Sequence, residues 1–222
     1  MKNAKAAIIL KILRQTYALP AWTQQQPDPF ETLVMTIISQ NTNDHNTAKA
    51  FEHLSKKFEI TPEALAKAEI GQIEDTIKPA GLNKSKARAI KQAAFTVFER
   101  NYGTLQSILS LPHDEARKIL MQFQGVGPKT ADVVLLFSAG VPSIPVDTHV
   151  KRVAKRLGFT PSKGNYESIR KNLESLFDPN DFLSAHLFLI AHGRKTCKAR
   201  HPLCSECPVN RYCPTKGQLG YS

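Results

Sequence analysis

Near the middle of the chain two glycines, two residues apart, interrupt a helical pattern, and that interruption limits the folds open to it. Ile119, Leu120 and Phe123 recur at helical spacing ahead of Gly125-Val126-Gly127-Pro128-Lys129-Thr130-Ala131. Ala131, Val134, Leu135 and Ser138 do so behind it. Two helices joined by so short a glycine turn form a hairpin whose tip no side chain blocks. The N–H groups that open the second helix then face outward, where an anion is favoured. The chain has 30 Lys and Arg against 19 Asp and Glu, a net charge of +11, so phosphate is the expected anion; the charge suits nucleic acid first and an anionic membrane second, and by itself equally a merely soluble basic protein. The seat falls to Gly125, Val126, Gly127 and Thr130, with Lys129 beside it. Asp147, in Val146-Asp147-Thr148-His149, follows ahead of another helical pattern.

The periodicity is helical almost throughout, which predicts an all-α protein. Phe30, Leu33, Val34, Ile37 and Ile38 form one stripe, ending at Ser39-Gln40-Asn41-Thr42-Asn43; Ala50, Phe51, Leu54 and Phe58 form another. Thr61-Pro62 is a helix start. Helices are expected over Ile70–Ile77 and Lys84–Arg100, with a tight turn at Lys78-Pro79-Ala80-Gly81-Leu82-Asn83 between them. Further helices are expected through Val150, Val153 and Leu157, through Tyr166, Ile169, Leu173 and Leu176, and over Phe182–Ala191 before His192-Gly193. At 222 residues the chain suits one large or two small domains, and Pro27-Asp28-Pro29 marks a crossing.

No stretch approaches a membrane span. The start, Met1–Leu10, is too short for a signal-peptide core; Ala6, Ile9, Leu10, Leu13 and Tyr17 instead share one face of a docking helix. The expectation is a cytoplasmic, nucleoid-associated protein whose thiols stay reduced unless they hold metal. All four cysteines lie in one window, Cys197, Cys204, Cys207 and Cys213. Two disulfides do not suit that compartment; four thiolates suit zinc or an iron–sulfur cluster, and spacing alone leaves both open. A loop pinned by metal at Cys197 and Cys204 would hold Lys198 and Arg200 out as a basic knuckle for phosphates.

The hairpin Phe123-Gln124-Gly125-Val126-Gly127-Pro128-Lys129-Thr130-Ala131, followed by Val146-Asp147-Thr148-His149, resembles the helix-hairpin-helix DNA glycosylases, most closely the endonuclease III family. Gln124 stands where that family's pattern has proline, a departure in the turn. The resemblance covers residues 28 to 214. It implies two helical domains: a six-helix barrel with the hairpin over residues 29–139, and a discontinuous domain of 1–28 and 140–222. DNA would bind between them. It also implies a [4Fe-4S] cluster on the four cysteines.

The resemblance further implies a bifunctional DNA glycosylase and abasic-site lyase, working as a monomer on double-stranded DNA with damaged bases or abasic sites. Oxidised pyrimidines are the implied substrates, with mismatched or alkylated bases the alternative within the same fold. Lys129 is the expected nucleophile at C1′ of a flipped nucleotide, its amine favoured by burial and a helix N-terminus. Asp147 is expected to stabilise charge on the sugar and also to suit a helix N-cap. Gln40 matches the family position that fills the gap left by flipping, and Leu82 the apolar wedge on the opposite strand. Asn83 follows Leu82 where relatives often have an aromatic. His149 is expected to face phosphate or to serve structure. A non-catalytic DNA-binding module and a zinc-binding regulator are the readings outside this class.

Overall fold

The structure, a computed structural model, describes residues 4–19, 23, 27–99 and 104–216. Among these residues twelve α-helices follow one another: α1 (Ala4–Thr16), α2 (Pro29–Ile38), α3 (Asp44–Lys57), α4 (Pro62–Lys67), α5 (Ile70–Thr76), α6 (Asn83–Glu99), α7 (Leu105–Leu109), α8 (His113–Leu120), α9 (Pro128–Ala139), α10 (Thr148–Arg156), α11 (Tyr166–Leu176) and α12 (Phe182–Lys195). Among the described residues there is no strand, and no helix is long and apolar enough to cross a membrane. The helix expected to end at Arg100 is described to Glu99, and Arg100 lies outside the described residues.

Local chemistry sets several helix starts. Asp28 accepts from the N–H of Phe30 at 2.8 Å and of Glu31 at 2.9 Å ahead of α2. Asn43, Thr61 and Asn165 cap α3, α4 and α11 in the same manner. Each cap satisfies N–H groups that the helix itself leaves unpaired, and each contributes about 1 kcal/mol. The short α7 was not expected; at five residues it is too brief to show a period, although Leu105, Ile108 and Leu109 are all buried.

The chain divides into two compact units, Gln26–Val141 and Met1–Gln25 with Pro142–Ser222. The cut falls ahead of Asp28 because that residue belongs to α2 as its cap, and after Val141, whose N–H returns to Leu135 O at 3.1 Å. In the first unit, α2 and α9 pack on each other, as do α4 and α6, around Leu33, Ile37, Leu54, Ile73, Ile90, Ile108 and Val134. In the second, α1 lies on α12, and Ile9, Leu13, Val150, Val153, Leu173, Ala185 and Leu189 share one core. Arg14 pairs with Asp181 at 2.6 Å and Lys5 donates to Leu157 O at 2.9 Å, tying α1 to the C-terminal segment.

One boundary differs from expectation. Helix α12 does not stop before His192-Gly193 but runs through both to Lys195. Gly193 is needed inside the helix for close approach to α10: a Cβ there would lie 3.0 Å from His149 Cβ and 3.2 Å from both Arg152 Nη2 and Val153 Cγ2. Gly193→Ala is therefore expected to destabilise this unit by about 1–3 kcal/mol through overpacking, more than alanine's helix propensity returns. A thermal melt of the variant checks it; an unchanged or raised Tm would show that α10 and α12 can part at no cost.

Candidate functional site

The hairpin is built by α8, the turn at 121–127, and α9. Gly125 sits at φ +77, and a Cβ on it would lie 3.1 Å from Ala89 Cβ, so the tip can lie against α6 only as glycine. Val126 faces the core, 5% exposed, and its N–H donates to Phe123 O at 3.0 Å, so this residue anchors the turn. Gly127 is the N-cap of α9; it has no side chain with which to cap the first turn, and nothing lies within 4 Å of where its Cβ would be. Lys129, in that first turn after Pro128, is half-buried. Thr130 is 4% exposed, which leaves its main chain rather than its hydroxyl for a ligand.

An ion pair that the sequence did not advertise clamps the two hairpin helices. Asp132 of α9 is 0% exposed and accepts from Arg117 of α8, Nε to Oδ1 at 2.7 Å and Nη2 to Oδ2 at 3.3 Å. The planar guanidinium fixes direction as well as distance, so the pair sets the orientation of α8 and α9 on either side of the turn.

Two loops of the same unit carry two further residues expected to face DNA. Gln40 follows α2, and its Nε2 donates to Gly125 O at 2.9 Å and to Thr130 Oγ1 at 3.4 Å, so it is gathered with the hairpin. Leu82 is 60% exposed at φ +49, a left-handed conformation that leucine seldom adopts. It is not a core residue. Gly81, at φ +67, precedes it, and Asn83 turns its amide inward to Glu74 O at 3.3 Å. Beneath both loops lies Lys86, whose Nζ donates to Ile38 O at 2.8 Å and Ala80 O at 2.9 Å.

In the second unit Asp147 is the N-cap of α10, its Oδ1 accepting from Val150 N–H at 2.7 Å. The cap uses one carboxylate oxygen. His149 is half-buried, and burial, ahead of its charged neighbours, lowers its pKa. Its Nδ1 lies 3.2 Å from Arg152 Nη2. A guanidinium can only donate, so Nδ1 accepts and the ring proton is assigned to Nε2. Arg152 also donates to Cys197 O at 3.0 Å and Gly193 O at 2.7 Å, joining α10 to the cysteine loop.

The four cysteines line one pocket with Arg156, His192 and Leu203. Among the described residues no three Cys, His, Asp or Glu side chains converge closely enough to hold a single ion. Burial raises the Cys207 thiol pKa, and the Cys197, Cys213 and Cys204 thiols raise it further, so all four sulfurs share one field. Thiols spread around a pocket rather than gathered at a point fit a polynuclear iron–sulfur cluster better than zinc. The loop is tied down at its root: Arg156 donates to Cys197 Sγ at 3.4 Å, to Lys198 O at 2.6 Å and to Ala199 O at 3.2 Å. Lys198 and Arg200 are exposed.

His192 lies against this pocket. Its Nδ1 meets Tyr17 Oη at 2.8 Å, its Nε2 is 3.9 Å from Cys207 Sγ, and burial pushes its pKa down to about 4. It is neutral at physiological pH. No spacing in the sequence joins Tyr17 to His192. His186 is likewise a core residue, held at Pro145 O at 2.9 Å.

Comparison with known proteins gives consistent matches. The profile of a family described as HhH-GPD superfamily base excision DNA repair protein matches residues 34–179, and that of the iron-sulfur binding domain of endonuclease III matches residues 197–213. Endonuclease III of Sulfolobus acidocaldarius is 41% identical over 185 residues, covering 83% of this chain and 81% of its own. That of Escherichia coli K12 is 34% identical over 221 residues, covering 99% of both. A trapped endonuclease III–DNA covalent intermediate superposes with a TM-score of 0.83 at 30% identity, over 97% of this chain and 98% of the other. A thermostable thymine-DNA glycosylase superposes at 0.74 with 22% identity, a likeness of fold.

Proposed function

The chain belongs to the HhH-GPD superfamily of base excision DNA repair proteins, within it to the endonuclease III family, and from that premise we propose how its residues act on DNA. It is a DNA glycosylase with abasic-site lyase activity, carrying a [4Fe-4S] cluster, and its partner is double-stranded DNA. Oxidised pyrimidines are the substrate class that fits this family. We take residues 29–139 as the six-helix barrel and 1–28 with 140–222 as the iron–sulfur domain, in a monomer that resides with the nucleoid.

The observation that carries the mechanism is Lys129 in the first turn of α9, directly after an uncapped Gly127 with open space above it. Main-chain N–H groups at that helix end would hold a phosphate of the damaged strand and so bring C1′ of the flipped nucleotide to Lys129 Nζ. The amine, as its free base, forms a bond to C1′ while the bond from C1′ to the base breaks, and the base leaves with the electron pair and takes up a proton. Opening of the sugar ring gives an iminium, a Schiff base. Loss of the 2′ proton to a general base then breaks the C3′–O bond and releases the 3′ phosphate. Asp147 balances the positive charge that develops on the sugar and assists proton movement, while its other oxygen keeps α10 capped. Gln40 fills the gap left by flipping, and Leu82 parts the opposite strand. His149 offers its Nε2 proton, and Lys198 and Arg200 their charges, to flanking phosphates.

Cys197, Cys204, Cys207 and Cys213 would hold the cluster, which when bound supplies four iron–thiolate bonds that pin the loop. No step of the chemistry passes through it.

Borohydride trapping on a duplex with one abasic site tests this reading; absence of an adduct on tightly bound DNA would leave a monofunctional glycosylase or a binding module. Two variants separate the roles of Asp147. Asp147→Asn keeps an acceptor for Val150 N–H, so its Tm is expected to match the wild type while strand cleavage falls roughly 10²–10³-fold. Asp147→Ala is expected to lose the same activity and about 1 kcal/mol of stability besides. Full cleavage by Asp147→Asn would reduce the residue to a cap.

A further inference from the structure

Lysine is seldom fully buried without a carboxylate. Lys86 is 3% exposed in the opening turns of α6, and among the described residues its ammonium meets two carbonyl oxygens and no acid, Ile38 O at 2.8 Å and Ala80 O at 2.9 Å. Burial alone lowers its pKa. An apolar side chain of the same length would fill the space without this penalty, so what the charge holds is informative.

Each carbonyl belongs to the last residue of a helical element that leads into a loop. Ile38 ends α2 and leads through Ser39 into Gln40; Ala80 ends a 3₁₀ turn (Lys78–Ala80) and leads through Gly81 into Leu82. Carbonyls at helix ends lack intrahelical partners and favour a cation. Both oxygens bond the same nitrogen, so neither loop root can shift without the other. Beyond the roots the bonds diverge: Gln40 bonds to Gly125 and Thr130, while Leu82 O accepts from Lys86 N–H at 3.0 Å and Ser85 Oγ at 2.9 Å.

We propose that Lys86 is a positioning residue for duplex opening, fixing through one ammonium the spacing of the two loops that carry Gln40 and Leu82. The inference rests on the reading of those residues as gap-filler and wedge. Two side chains that must enter one duplex together gain from a preset separation, since a misplacement of about 1 Å can cost roughly 10²-fold in rate. Lysine suits the task because its three donors radiate from one atom at the end of an apolar stem.

The test compares Lys86→Met with wild type by borohydride trapping on an abasic site in a duplex and on the same site in a single strand, where there is no pair to open. The duplex rate is expected to fall about 10- to 100-fold and the single-strand rate to stay within about twofold. In a Gln40→Ala, Leu82→Ala background, Lys86→Met should cost no more than about twofold further, because the loops no longer carry anything to place. Equal losses on both substrates, a full additional loss in that background, or an unaffected duplex rate would each overturn the proposal. If the alanine substitutions themselves leave duplex rates unchanged, the gap-filler and wedge reading fails first and takes this inference with it. Should the methionine variant not fold, Lys86→Gln, with one amide in place of the ammonium, is expected to show a smaller loss confined to the duplex; a loss on both substrates would again overturn it.

Discussion

Lys129→Ala is expected to give no borohydride-trapped adduct and to slow strand cleavage at an abasic site by on the order of 10⁴-fold or more, as removal of a covalent nucleophile does. Binding of the abasic duplex should weaken by less than about tenfold, because main-chain N–H groups at the start of α9 supply the phosphate seat and survive the substitution. Lys129→Arg makes the stricter comparison. It restores a cation at the same helix end but no amine that loses its proton near neutral pH. If Lys129 serves only as a phosphate-binding charge, arginine rescues cleavage; if it forms the Schiff base, arginine is as inactive as alanine. Quantifying adduct on denaturing gels, with duplex affinity measured in parallel, decides between them.

The second large effect is expected at the cluster. Cys207→Ala removes a thiol that the other three already disfavour as a lone anion, and iron is what would make four thiolates tolerable in one pocket. The variant is expected to lose the broad visible absorption of an iron–sulfur protein and to be cut readily by protease between residues 198 and 206. Duplex affinity should fall about tenfold, with a shallower dependence on salt, since the loop would no longer present Lys198 and Arg200 together. Lys198→Ala with Arg200→Ala should flatten the salt dependence in the same way yet keep the colour. A colourless wild-type protein containing zinc would overturn the cluster assignment, and an unchanged salt slope in the double variant would reduce the two residues to solubilising charges.

Both effects trace to signals that act over short distances along the chain. The glycine turn, the helix that follows it and the four cysteines of one window are legible because their chemistry is local. A cap is decided within three residues of its helix, so Thr61, and Asp147 ahead of Val150, could be named in advance. Apolar recurrence marks a buried face wherever a helix is long enough to repeat; α7 is not. Such signals determined the helical class and the hairpin, while the roles offered for Lys129, Asp147, Gln40 and Leu82 came from the family resemblance.

Only the tertiary structure decided what became of the charged and polar residues between them. Lys86 and Lys84 look alike in the sequence, yet the first lies inside, because the distant end of α2 and the 3₁₀ turn just ahead of α6 both bring it their carbonyls. Asp132 reads as a polar interruption of an apolar helix until Arg117 is placed across the hairpin. Gly193 reads as a stop, but α10 needs the space and the helix continues. His192 is neutral because Tyr17 and the cysteine loop enclose it. Burying a charge or ending a helix is settled by partners far away along the chain, and a sequence read locally does not contain them.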